Sequence, residues 1–300
     1  MNKIVELSEK VKTAFQTGKP IIALESTIIS HGMPYPENLQ VAQALENIAE
    51  EAGVTPATIC LMNGKIKIGL NDSELEQLAT ASQVEKVSRR EIGKVLVQSK
   101  TGATTVAATM FCANLVNIKV FATGGTGGVH QGAATSFDIS ADLQEFASTP
   151  VIVVSAGVKA ILDIPKTLEM LETLRVPVLG YKTSSFPAFY SNNSPWQVEK
   201  IDSAAQIAEI YKLEHRLGLK NGMLIANPIP AKDEIPFSKM EKIIAAALKA
   251  AKKQKITGQA VTPFLLKKIV ELTKGRSLQA NIALVKNNVR LACQIAKELA

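Results

Sequence analysis

Lys159 follows the apolar run VIVVS (151 to 155) by four residues and lies in SAGVKAIL, a stretch with no other charge. A lysine withdrawn from water at the end of a buried strand loses part of its affinity for a proton, and its neutral amine can attack a carbonyl or an anomeric carbon. The alternative is a lysine whose stem packs while its ammonium reaches solvent. Upstream, Asp138, Ser140 and Asp142 present alternating oxygens of the kind a hard divalent cation prefers. The Gly of a calcium loop is absent, so an EF-hand is excluded, and a solvated loop or a helix N-cap remains open. Gly124, Gly125, Gly127 and Gly128 free the backbone to approach an anion closely, or simply to turn after a strand. KVSRRE (86 to 91) sets Lys86, Arg89 and Arg90 beside the hydroxyl of Ser88, a set that suits phosphate. Glu25 ends the run IIALE, and the Gly- and Pro-rich stretch STIISHGMPYPEN after it reads as a loop over a site.

The elements that position these groups follow from periodicity. IIALE, VFAT (120 to 123), VIVVS, VPVLGY and GMLIA read as short buried strands, and ligands of open α/β sheets bind where such strands end. TICLM and KIKIGL flank Asn63-Gly64, a hairpin turn signal. Helical spacing covers 4 to 15, 38 to 51, 204 to 217, and stretches near 238 to 254 and 277 to 299, while Asp72-Ser73 with Glu76 predicts a capping box. Asp163 and Pro165 start a helix that runs to about Arg175, completing a βαβ crossover with VPVLGY. KTSSFPAFYSNNSPW is expected to be a lid or a subunit contact. The pattern gives one α/β unit over 1 to 300, a layered α/β/α arrangement on a largely parallel or mixed sheet. A smaller lobe around the 58 to 70 hairpin is the alternative division.

Three hundred residues are ample for a core. The charge of +7 gathers partly in Lys249, Lys252, Lys253 and Lys255 of one helical pattern, read as a solvated face. With aromatics at only 5% and none among those lysines, stacking on bases is unsupported and no nucleic-acid partner is expected. Three separated cysteines give neither a disulfide framework nor a metal-binding CxxC pair, which fits a reducing cytoplasm. The N-terminus carries charge throughout, unlike a signal peptide, and residues 101 to 118 read as a buried helix rather than a membrane span.

GGTGGVHQGAATSFDISADL followed by TPVIVVSAGVKAILDIPKTLE resembles the pseudouridine-5′-phosphate glycosidase family, also called indigoidine synthase A-like. ALESTIISHGMPYPEN, KVSRRE, TGATTVAATM, VPVLGYKTSSFPAFY, NPIP, VTPFLL and LQANIALVKNN extend the likeness over nearly the whole chain in family order. The resemblance implies reversible cleavage of the C–C glycosidic bond of pseudouridine 5′-phosphate to uracil and ribose 5-phosphate. It implies Lys159 as nucleophile and Glu25 as proton donor. Lys86, Val106, Ser140, Ala141 and Asp142 are expected at the substrate, with His130 and Asn281 in pocket roles. Asp138 would hold one divalent metal per subunit, usually Mn2+, and the assembly would be a trimer. Two positions depart from the family pattern, Thr126 where Ile is usual and Gln131 where Arg is usual, the second removing a contact near the loop. The rival readings are a related C-glycosidase acting on another phosphorylated sugar and a catalytically silent phosphoribosyl-binding protein. Turnover of pseudouridine 5′-phosphate separates the three.

Overall fold

The computed structural model describes residues 3–256 and 261–300. In chain order the first elements are β1 (Val5–Leu7), α1 (Glu9–Thr17), β2 (Ile21–Leu24), α2 (Glu37–Glu51), β3 (Thr55–Met62), β4 (Lys65–Ile68) and α3 (Asp72–Thr80). Next come β5 (Glu85–Val87), α4 (Ile92–Val97), β6 (Gly102–Thr104), α5 (Val106–Leu115), β7 (Val120–Ala122), α6 (Ala133–Ser136), α7 (Ala141–Phe146) and β8 (Ile152–Ser155). The chain continues through α8 (Ile164–Thr173), β9 (Val178–Tyr181), β10 (Glu199–Ile201), α9 (Ala204–Arg216) and β11 (Met223–Ala226). It finishes with α10 (Phe237–Lys253), α11 (Val261–Leu272) and α12 (Arg276–Glu298).

One sheet runs in the order β1-β4-β3-β2-β7-β8-β11-β9-β10, with β6 on β3 and β5 on β6, and helices cover both faces. From β3 to β10 every neighbour along that path is parallel, so the carboxyl ends of β2, β7, β8 and β11 come out on one edge. The antiparallel pairs are β3 with β4 and β3 with β6. This is the mixed, largely parallel α/β sheet that the strand pattern predicts. The central strands β7, β8 and β11 are short and buried throughout, because both faces lie against helices, whereas the edge strand β10 is largely exposed. The main core runs through them, and a smaller cluster formed by Ile29, Ala42, Cys60, Met62, Leu70, Leu75, Leu78 and Ala79 lies beside the hairpin. The single unit expected over 1 to 300 includes residues 1, 2 and 257–260, which lie outside the described residues.

Asn63 and Gly64 both take positive φ and close the β3–β4 hairpin as expected. Three local expectations give way. The helix over 4 to 15 is preceded by a strand: β1 pairs parallel with β4, and the helix begins at Glu9 because the Ser8 hydroxyl caps it. The capping box is Asn71 with Glu74, not the pair two residues later. The pattern occurs twice in NDSELE, and the chain has left β4 through the positive-φ Gly69, so Asn71 is the first extended residue able to cap. Within 182 to 196, Phe186, Ala188, Phe189 and Tyr190 are core, not lid. The Phe189 amide bonds the Ala156 carbonyl at 3.0 Å, and its ring meets Tyr190 edge-on at 4.7 Å, so burial of four apolar side chains outweighs the polar composition around them. The four lysines 249, 252, 253 and 255 are exposed, and all three cysteines are free and buried. None of the described helices is long and apolar enough to cross a membrane.

Candidate active site

Two cavities meet at the carboxyl edge of the sheet, and Glu25, Thr27, Lys86 and Lys159 line both. The larger, about 580 Å³, is the more polar of the two and takes in Arg89, Arg90, His130, Asp138, Ser140, Ala141 and Asp142. The smaller, about 240 Å³, is mainly apolar, walled by Ile28, Phe189 and Leu266, with His31 and Asn281 adding polar groups to the four that line both.

Register places the acid. Leu24 pairs with Ala122, so Glu25 stands beside Thr123, whose hydroxyl donates to its carboxylate. Glu25 is 8% exposed, and burial pushes its carboxyl above the usual range, an effect the Lys159 ammonium and the Thr123 hydroxyl oppose. At the next crossing, the Lys159 amide bonds the Thr126 carbonyl at 3.0 Å, which carries the lysine from the end of β8 back toward the glycine loop. Lys86, the middle residue of β5, is open to the cavity. Its surroundings of protein, and then the Lys159 ammonium, draw its pKa below the ordinary lysine value. The same two causes, burial and then the Lys86 charge, lower His31.

Asp142 is buried and both its oxygens are engaged, accepting from the Ala107 amide at 2.9 Å and the Gly127 amide at 2.8 Å. It therefore clamps the glycine loop to the start of α5 while forming part of the cavity wall. Gly127 has to be glycine, because a Cβ there would stand 2.1 Å from Ser140 Oγ. Ser140 N-caps α7. Val106 is brought to neither cavity: its side chain is in the core, and its N-capping neighbour Thr105 lines the polar one. In KVSRRE, Ser88 and Glu91 form a capping box, Arg90 pairs with Glu91, and Arg89 reaches the buried Glu145 at 3.1 Å with its guanidinium 4.7 Å from the centre of the Phe111 ring. Much of that motif's polarity is thus spent within the protein. Gln131 donates to the Leu162 carbonyl at 3.3 Å.

Asp138 has a half-exposed side chain, and His130 Nδ1 lies 3.9 Å from its carboxylate. Among the described residues no group of three or more His, Cys, Asp or Glu is arranged to enclose a metal. The donors fit a hard cation held at one carboxylate and completed by water and substrate oxygens, the open coordination typical of Mg2+-like ions; they do not form a closed protein cage.

Sequence reading missed Thr123, Thr27, His31 and Phe189. His31 and Thr27 sit in the stretch recognised as a loop over a site, but nothing in its composition marks which residue turns inward. Thr123 at the end of VFAT has no signal apart from its position at a strand's carboxyl end.

The family described as indigoidine synthase A like protein matches residues 10–298. Over 300 residues, and the full length of both chains, the protein is 57% identical to a pseudouridine-5′-phosphate glycosidase of Geobacillus kaustophilus. It is 54% identical to one of Caldanaerobacter subterraneus, covering 100% of this chain and 98% of that one. Among solved structures, an indigoidine synthase A-like protein of Thermotoga maritima superposes with a TM-score of 0.89 at 39% identity, covering 98% of this chain and 95% of the other. A prealnumycin C-glycosynthase in complex with ribulose 5-phosphate superposes at 0.93 with 34% identity, covering 100% and 98%.

Proposed function

The chain belongs to the indigoidine synthase A-like family, and from that we propose that it is a pseudouridine-5′-phosphate glycosidase, cleaving its substrate reversibly to uracil and ribose 5-phosphate. The observation that carries the reading is the junction itself: the amine of Lys159 and a buried acid, Glu25, line both a polar cavity and an apolar one, with the Lys86 amine beside them. The polar cavity takes the phosphorylated ribose, with Lys86, Ser140 and Ala141 at its wall. The apolar cavity takes uracil between Phe189 and Leu266, with Asn281 and His31 as hydrogen-bonding partners for its edge.

A C–C glycosidic bond offers no heteroatom for ordinary acid-assisted departure, so the electrons need another sink. The Lys159 nitrogen attacks C1′, the bond from C1′ to the ring oxygen breaks, and the proton the amine sheds passes to that oxygen, opening the ribose. The nitrogen lone pair then forms a C1′ iminium as the bond to uracil C5 breaks, and Glu25 delivers a proton to C5. Water adds to the iminium and expels the amine, releasing ribose 5-phosphate and returning the lysine. Glu25, raised by burial, keeps the proton this step needs at a higher pH than an exposed glutamate would. A plain two-carboxylate glycosidase would use no amine.

A Mn2+ ion at Asp138, near His130, would neutralise substrate charge when bound. A homotrimer in the cytoplasm is the setting the family resemblance implies, and sedimentation tests the assembly. The deciding experiment is turnover of pseudouridine 5′-phosphate with release of free uracil. No release would remove the reading, and release from another phosphorylated C-glycoside alone would transfer it to a sister reaction.

A further inference from the structure

α12 packs against β2, β7 and β8, and on this amphipathic helix Asn281 and Asn288 stand seven residues apart, about two turns, so they share a face. Asn281 faces the smaller cavity. Asn288 is wholly buried: its Nδ2 donates to the Thr123 carbonyl at 2.8 Å and lies 3.4 Å from the Gly124 carbonyl, and its Oδ1 accepts from Asn227 Nδ2 at 3.0 Å. Carbonyl oxygens only accept, so the NH2 of Asn288 has to face residues 123 and 124, leaving its oxygen for Asn227. The Asn227 backbone is tied in turn to the Ser155 carbonyl at 2.8 Å, at the end of β8. Holding a helix against a sheet needs only apolar contact. A buried amide pair costs free energy unless each partner is in place, and here the partners converge on the two residues that follow β7.

We propose that Asn288, oriented by Asn227, is a positioning residue for the reaction: it fixes the Thr123–Gly124 turn from which the Thr123 hydroxyl holds Glu25, and it seats α12 so that Asn281 faces the base. The inference rests on the proton-donor reading of Glu25. One peptide, 123–124, therefore answers to a helix far along the chain, and through its side chain to the acid. The Gly124 carbonyl also accepts from the Ala156 amide at 3.0 Å, so the same turn is tied to the segment leading to Lys159.

The test compares Asn288→Ala, Thr123→Val and their double variant by uracil release from pseudouridine 5′-phosphate across pH. We expect Asn288→Ala to lower kcat by roughly tenfold to a hundredfold, the scale of a misplaced catalytic group, with KM changed by no more than about threefold. The alkaline limb of its kcat profile should move in the same direction as in Thr123→Val. The double variant should be no slower than the slower single, because both act through one carboxyl. An unmoved limb with losses that multiply would make Asn288 a packing residue and overturn the inference. If Asn288→Ala does not fold, Asn227→Ala, which removes the donor holding the Asn288 amide in place, carries the same readouts and the same two outcomes. Glu25→Gln run alongside keeps the two readings apart: full activity there removes the proton donor itself, whereas inactivity there with multiplying losses in the double variant removes the positioning role alone.

Discussion

Thr123 donates its hydroxyl hydrogen to the carboxylate of Glu25, across 98 residues of sequence and one step of a parallel ladder. The contact places the acid where two cavities meet and favours its ionised form. Burial raises the Glu25 pKa, and the hydroxyl and the Lys159 charge lower it.

Glu25→Gln should reduce kcat by about 10²- to 10⁴-fold, the usual worth of a positioned acid. The same variant should be the more stable protein at alkaline pH. A carboxyl whose folded pKa is raised contributes stability below its ordinary value of 4.5 and loses it as pH rises through the folded value. Glutamine has no such loss. Thermal melts of both proteins from pH 4 to pH 9 check this: the gap in favour of Glu25→Gln should open as pH rises, and a constant gap would contradict it.

Lys159 should be trapped. Borohydride added with ribose 5-phosphate should reduce the imine and add the sugar's mass to the peptide carrying Lys159. Lys159→Ala should lose the adduct and at least about 10³-fold in kcat. Trapping unchanged in that variant would sink the assignment.

Lys86 separates phosphate binding from chemistry. A charge-assisted hydrogen bond to a dianionic phosphate is worth about 1.5 to 3 kcal/mol, or about tenfold to a hundredfold. Lys86→Ala should weaken use of pseudouridine 5′-phosphate by that factor and leave residual turnover of unphosphorylated pseudouridine nearly as it was. Equal losses on both substrates would assign the lysine, which neighbours Lys159 at the junction, to the reacting centre instead.

The hydroxyl of Thr126 is wholly buried with no hydrogen-bond partner among the described residues. Val has nearly the same shape without the hydroxyl. Removing an unsatisfied buried polar group recovers about 1–3 kcal/mol, so Thr126→Val should raise Tm by about 2 °C or more with activity retained. A lowered Tm would mean that the hydroxyl has a partner in solution, such as an ordered water.

Asp138 is half exposed, so Asp138→Ala should leave Tm within about 1 °C, consistent with the small cost of surface substitutions. Mn2+ affinity, followed by calorimetry on the protein alone, should fall by at least about tenfold. Chelation of the wild type should lower activity reversibly, and full activity after exhaustive chelation would argue against a metal.

Residue types and their spacing govern the local features of this chain. Asn63-Gly64 closes a hairpin because the backbone at that turn requires positive φ, and neither residue needs a distant partner to favour it. The β-branched runs before Thr123 and Lys159 became buried strands because their patterning admits little else, so residue types alone put the lysine and the glycine loop at a sheet edge. The motif likeness carried Glu25, Asp138 and Asn281 to named roles. Tertiary structure decided the rest. The residues Val5–Leu7 became a strand only because β4 offers a free edge, overriding a helical pattern. Phe186 to Tyr190 left the surface because the strand ends they cover come from other parts of the chain. Asn288 met the Thr123 carbonyl across 165 residues. Torsional preference and side-chain periodicity act over a few residues, whereas strand register, burial and the pairing of polar groups are settled by which distant segments come to lie side by side. The amine could therefore be read from its neighbours in sequence, and the hydroxyl and amides that orient the acid could not.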